Sequence, residues 1–120
     1  MLMLDLFQNW HDQKDYSKGD VIFHERDPAD FMYVVIEGEV ELYKGSEPLG
    51  AELPGGIIGE MALINNSIRS ASAKAIVPSK LARIDRDQFR EVIVKNPDCA
   101  LHVMSVLANR LKVANMLLHG

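Results

Sequence analysis

Glu60 and Arg69, on either side of a short variable stretch, are the two residues here best suited to grip a small anionic molecule. The segment runs Gly59-Glu60-Met61-Ala62-Leu63-Ile64, then Arg69-Ser70-Ala71. Good helix formers directly after a glycine predict a one-turn helix over 60–64. A helix start leaves backbone N–H groups without partners and gathers the positive ends of the peptide dipoles, which suits an anion. An arginine adds a planar fork that matches two phosphate oxygens. A carboxylate would repel phosphate, so Glu60 is better matched to a neutral hydroxyl, such as the vicinal hydroxyl of a ribose. Together these parts describe a pocket for a phosphorylated sugar. Taken singly, each has an ordinary role: Glu60 as a solvated carboxylate at a helix start, Arg69 as a surface cation at a strand end, and Gly55, Gly56 and Gly59 as turn residues. Their joint order in one segment carries the reading.

The elements that must position this segment read as short strands broken by turns. Val21-Ile22-Phe23 follows a Lys18-Gly19-Asp20 turn, and Phe31 to Ile36 is too apolar for a one-faced strand. Glu37-Gly38 fits a tight hairpin turn, and Val40-Glu41-Leu42-Tyr43 alternates as a half-buried strand should. Gly45, Gly50, Pro54, Gly55 and Gly56 punctuate the next segments; Ser70 to Ile76 and Lys80 to Ile84 complete the series. The predicted fold class is mainly β with flanking helices: a jelly-roll barrel over about 16–85, an N-terminal helix, and a C-terminal helical segment over about 86–118. Residues 1–15 carry Leu2, Leu4, Leu6, Phe7 and Trp10 and are read as a short amphipathic helix. Arg86 to Lys95 has helical spacing, and Asn96-Pro97 reads as an N-cap followed by proline at the first helical position. No breaker then intervenes before Leu118, leaving room for about six turns.

The segment around Glu60 and Arg69 resembles the phosphate-binding cassette of the cyclic-nucleotide-binding domain family. That pattern is Gly-Glu-x-Ala-Leu, a variable stretch, then Arg-[Ser/Thr/Ala]-Ala. Gly19-Asp20-Val21-Ile22-Phe23, Asp30 through Tyr33 and Gly38-Glu39-Val40 are similar to the family's upstream strands. Asn96-Pro97-Asp98 and Arg110-Leu111 resemble the final helix of its cyclic-AMP-receptor-type bacterial regulators. The resemblance implies that the cyclic phosphate falls to Arg69, Ser70 and the amides of Ala62 and Ala71, with Met61 in the same backbone stretch. It assigns the ribose to Glu60 and Gly59. The proline usual before the cassette arginine is Ile68 here, which loosens the approach to Arg69. Arg69 is accordingly expected to serve the ligand and not the core. The base contacts of those regulators fall at Ala114 and Asn115, of which Asn115 alone has a side chain able to hydrogen-bond. Ser70 could reach the amino group of a syn guanine. The expected ligand is cyclic AMP ahead of cyclic GMP; a jelly roll kept as a ligand-free interaction or oligomerisation domain is the alternative.

Composition limits the remaining classes. In 120 residues there is room for one domain, 1–120, with one core. No apolar run is long enough to span a membrane and the first residues lack a basic signal region, so a cytoplasmic location is expected. Lys and Arg number 13 against 17 Asp and Glu, a formal charge of −4, which is no nucleic-acid-coating surface. Bacterial regulators with this domain continue into a helix-turn-helix; with the chain ending at Gly120, no DNA binding by this chain alone is expected. The four histidines are scattered without metal-ligand spacing, and no nucleophile has a base and an orienting group, so neither metal, cofactor nor catalysis is expected. Cys99 reads as a small packed residue. On the last helix, Ala100, Met104, Leu107, Leu111, Ala114 and Leu118 form a heptad-like seam. The family's regulators pair along this helix, so a homodimer centred on Leu107 and Leu111 is expected.

Overall fold

A strand that is apolar on both faces needs cover on both, and Met32–Glu37 shows how this chain provides it. All of its residues but the last are buried. The computed structural model describes residues 2–63 and 67–119, with side chains described as far as 112. In chain order the elements are α1 (Leu2–Phe7), β1 (Gln13–Tyr16), β2 (Val21–Phe23), β3 (Met32–Glu37), β4 (Val40–Lys44), β5 (Glu47–Glu52), β6 (Ile57–Ile58), a 3-10 turn (Glu60–Leu63), β7 (Ser72–Ala75), β8 (Ser79–Ile84), α2 (Arg86–Lys95) and α3 (Pro97–His119). The strands make two antiparallel four-stranded sheets, ordered β1-β8-β3-β6 and β2-β7-β4-β5. This is the mainly β jelly roll with flanking helices that the turn spacing predicts.

The core draws on both sheets. Tyr33, Val35, Ile58 and Leu81 come from one and Phe23, Val40 and Ala73 from the other, with Tyr16, Ile22, Phe31 and Leu42 packed at its margin. Burying each large aliphatic or aromatic side chain here is worth about 1.5–3 kcal/mol. Alternation turns Met32 and Val34 to the opposite face of β3, where α1 packs and its Met3 and Phe7 are fully buried. The β3–β4 hairpin turns at Gly38 with φ of 95°; a Cβ there would fall on the Ser79 hydroxyl, so only glycine fits.

The N-terminal stretch departs from expectation. Helix α1 ends at Phe7, and Gln13–Tyr16 is a strand paired in register with β8, from Gln13 opposite Ala82 to Tyr16 opposite Ser79. Gln-Lys-Asp-Tyr has no apolar alternation; the open edge of β8 recruits it through backbone bonds. The Trp10 indole N–H also donates to the Arg83 carbonyl at 2.9 Å, which holds the connection down. Strand β5 was similarly hidden: its first five residues are exposed, it contains Pro48, and its pairing with β4 shifts register at Leu42/Tyr43.

The chain forms two compact units, one ending at Phe89 and one beginning at Arg90. Helix α2 starts with a reciprocal cap: the Asp85 carboxylate accepts from the Gln88 amide at 2.8 Å, and Gln88 Oε1 accepts from the Asp85 amide at 2.9 Å. Pro97 opens α3, as the Asn96-Pro97 pair predicts. Buried Cys99 has no disulfide, and burial pushes its thiol up to about 11. Among the described residues, no helix is long and apolar enough to cross a membrane, and no cluster of His, Cys, Asp or Glu could hold a metal ion.

Candidate ligand-binding site

Strand β6 delivers the chain to Gly59, where φ of +69° turns it into the 3-10 turn Glu60–Leu63. The turn closes through the Ala62 amide, which donates to the Gly59 carbonyl at 3.1 Å. The expected short helix is thus a single 3-10 turn; Ile64, its last expected residue, lies outside the described residues together with Asn65 and Asn66. The chain is described again at Ser67 and is held there by the loop 24–30. Ala29 donates its amide to the Ser67 carbonyl at 3.1 Å, Pro28 bridges Ile68, Arg69 donates to the Asp27 carbonyl at 2.8 Å, and Arg26 donates to the Arg69 carbonyl at 2.8 Å. Arg26 makes that last bond with φ of 76°, a conformation that costs a non-glycine residue about 1–2 kcal/mol. Ile68, standing where proline is usual, therefore leads not into a loose loop but into backbone bonded on both sides.

Arg69 is only 4% exposed. Its Nη1 donates to the Gly59 carbonyl at 3.1 Å and its Nη2 to the Phe31 carbonyl at 2.7 Å. The guanidinium lies over the Phe23 ring, 4.1 Å from its centroid, and 5.7 Å from that of Tyr33. Among the described residues, Arg69 Nε has no hydrogen-bond partner. Burial lowers the guanidinium's pKa from its ordinary value, against the opposing influence of Tyr33, Asp30, Asp27 and Glu60. Burial likewise raises the Tyr33 phenol, with Arg69 and Arg83 opposing. Both shifts have one origin: charge is poorly solvated here, and an anion beside Arg69 would supply what water does not.

The structure brings Gly59 and Arg69 into direct contact. A Cβ at residue 59 would fall on Arg69 Nη1 and stand 3.3 Å from the Phe31 carbonyl, so glycine is needed for space as well as for φ. Glu60 is 6% exposed at the head of the turn, and Ala62 is buried behind it. Met61 and Ser70 are exposed and Ala71 half-buried. Two of the expected site groups also have structural partners. Arg69 is not reserved for a ligand: it is an interior residue, bonded to two carbonyls and stacked on an aromatic ring, because a guanidinium leaving water takes whatever acceptors the backbone offers. The Ala62 amide, expected to meet the phosphate, is engaged by the Gly59 carbonyl. Asn115 lies on α3 beyond the described side chains. Sequence reasoning missed Phe23, Phe31 and Tyr33 as the surroundings of Arg69. Aromatics on strands read as core, and a carbonyl acceptor leaves no mark in residue type.

A family model described as a cyclic nucleotide-binding domain matches residues 13–96. The chain is 32% identical to a cyclic AMP receptor protein of Thermus thermophilus over 118 residues, covering 94% of this chain and 55% of that one. The crystal structure of Thermus thermophilus catabolite activator protein superposes with a TM-score of 0.83 at 30% identity, covering 97% of this chain and 57% of that one. An EAL enzyme, Bd1971, solved in a form bound to cyclic AMP, matches at 34% identity with a TM-score of 0.65, over 86% of this chain and 29% of that one. Its cyclic-GMP-bound form matches at 35% identity with a TM-score of 0.66, over 83% and 28%. The chain spans about half the length of the curated regulators it matches.

Proposed function

This chain belongs to the cyclic nucleotide-binding domain family, and we propose that it acts as a sensor, taking a cyclic mononucleotide against the segment Gly59–Ala71. The observation that carries the reading is the state of Arg69: a buried cation whose hydrogen bonds go to neutral carbonyls and whose Nε is unpartnered among the described residues. A cyclic phosphate brings the missing acceptor and adds its charge to those of Asp30, Asp27 and Glu60, which already favour the cation. Ser70 and the Ala71 amide sit beside Arg69 for the same phosphate, and Glu60, with Gly59 and Met61 on either side, takes the ribose hydroxyl.

Cyclic AMP is the preferred ligand in this reading, supported by the likeness to a cyclic AMP receptor protein. Asn115 would be its base contact and Ser70 the residue that admits cyclic GMP. The role is binding, not catalysis. Pairing of two chains through α3 belongs to the same reading: Leu101, Met104 and Leu111 are 61%, 55% and 63% exposed. The stripe they form with exposed Ala108 is rotated from the expected seam, since Ala100 and Leu107 are half-buried. Calorimetric titration with cyclic AMP and with cyclic GMP tests the proposal. Saturable binding of both, tighter for cyclic AMP, is expected; no binding of either refutes it, and tighter binding of cyclic GMP overturns the preference.

A further inference from the structure

Phe31 holds two arginines at once. Its carbonyl accepts Arg69 Nη2 at 2.7 Å, and its ring lies under Arg83, whose Cζ is 4.4 Å from the centroid. Arg83 is fixed in turn by the N-terminal segment. Its Nε donates to Asp12 Oδ2 at 3.0 Å, its amide donates to the Asp12 carbonyl at 2.9 Å, and its carbonyl accepts the Trp10 indole N–H at 2.9 Å. Trp10 meets the Phe7 ring edge-on and the His11 ring at a tilt, with centroids 5.1 and 4.7 Å away, and its carbonyl accepts from Gln13 Nε2 at 2.9 Å. A continuous set of contacts therefore runs from residues 7–13 to the site arginine.

The position of Phe31 in the chain gives these contacts their consequence. The Phe31 carbonyl belongs to the peptide unit shared with Met32, where the β3 ladder begins opposite Ile84, so it sits at the strand end with pairing on one side only. On the other side, the ring of the same residue is held under Arg83. We propose that Arg83 and Asp12 are positioning residues for the nucleotide site, acting through Phe31 on the aim of the Arg69 guanidinium. This rests on the reading that Arg69 receives the cyclic phosphate. Moving the Phe31 carbonyl rotates the fork and with it the open Nε. Linkage makes the effect reciprocal: a ligand that draws on Arg69 biases the clasp of Arg83 on Asp12 and Trp10. The N-terminal segment thus senses occupancy without touching ligand.

Trp10 is the chain's one tryptophan, so its emission reports the clasp alone. Wild type, Asp12→Asn, Phe31→Leu and the double variant are titrated with cyclic AMP by calorimetry and by Trp10 fluorescence. Each single change should raise Kd roughly 3- to 10-fold, the scale of couplings carried by residues that touch no ligand. The double should be no weaker than the worse single, because both cut the same chain of contacts. Saturating ligand should shift Trp10 emission in wild type and leave it unmoved in Phe31→Leu. An unchanged Kd in Asp12→Asn, multiplicative losses in the double, or silent Trp10 in a wild type that binds by calorimetry each overturn the proposal. Thermal melts show which variants fold; if Phe31→Leu does not, Asp12→Asn decides by its own Kd and emission response. Absence of binding heat in wild type is a separate result, which removes the site reading and this proposal with it.

Discussion

Arg69→Ala separates the two roles of that side chain, because one is visible without ligand and the other is not. Without ligand, the change strips the Phe31 carbonyl of its 2.7 Å donor and the Phe23 face of its cation. An orphaned buried acceptor costs about 1–3 kcal/mol and a desolvated cation–π contact about 2 kcal/mol. Against these, the protein no longer desolvates a cation that lacks an anionic hydrogen-bond partner, a relief of similar order. The Gly59 carbonyl keeps the Ala62 amide and adds little. The balance is a loss of about 2 kcal/mol, or about 8 °C in Tm at roughly 4 °C per kcal/mol for a chain of this size. With ligand, the loss of the phosphate's charged partner costs about 2–5 kcal/mol, roughly 30- to 5,000-fold in Kd. Differential scanning calorimetry, alone and with cyclic AMP, reads both. At a hundred times its Kd the nucleotide adds about 2.7 kcal/mol to wild type, and the variant at that concentration should gain less than about 0.9 kcal/mol. An unchanged Tm in unliganded Arg69→Ala would refute the interior packing. An unchanged ligand-induced shift would refute the phosphate role.

Other expectations follow from the same geometry. Gly59→Ala meets Arg69 Nη1 at a φ that disfavours side chains, so it should cost about 3 kcal/mol by chemical denaturation and abolish binding; a fully stable, binding-competent variant refutes the need for glycine. A 2′-deoxy cyclic nucleotide should bind at least roughly a hundredfold more weakly by calorimetry, since Glu60 loses its hydroxyl; equal affinity removes Glu60 from that role. Leu111→Glu should convert a dimer to a folded monomer in light scattering, and a wild type that is monomeric at high concentration removes pairing through α3. Burial pushes the Tyr16 phenol up to about 12 from 10, so the folded state holds its proton longer than the unfolded one. Stability should then be intact below pH 10 and fall as pH rises through 10 to 12; Tyr16→Phe should flatten that fall in alkaline melts.

The parts of the site that were legible in the sequence are those whose chemistry resides in a side chain. Glu60 and Arg69 stand out because few segments place a carboxylate and an arginine around a glycine turn, and Gly59 because its place demands glycine. Strand β3 was legible because its apolar run matches two-faced burial, and β4 because Val40 and Leu42 alternate toward the core. What stayed hidden is held by backbone. Strand β1 forms because β8 offers it an edge, not because Gln-Lys-Asp-Tyr favours extension. The carbonyls of Gly59 and Phe31 could belong to any residue, and the engagement of the Ala62 amide follows from a 3-10 closure that no residue type announces.

That division is clearest at Arg69. The binding role proposed for it follows from its charge, whereas its structural role is written in the positions of two neutral carbonyls. The two roles bear on one another. A guanidinium held by neutral acceptors, with burial pulling its pKa down, is less well satisfied than the same group facing a phosphate. In the proposed reading, a cyclic nucleotide that offers Arg69 a charged acceptor would stabilise whichever arrangement of Phe31 and its neighbours lets Arg69 turn to the phosphate. A sensor needs such a difference between its two states, since a ligand shifts an equilibrium only by its differential affinity for them.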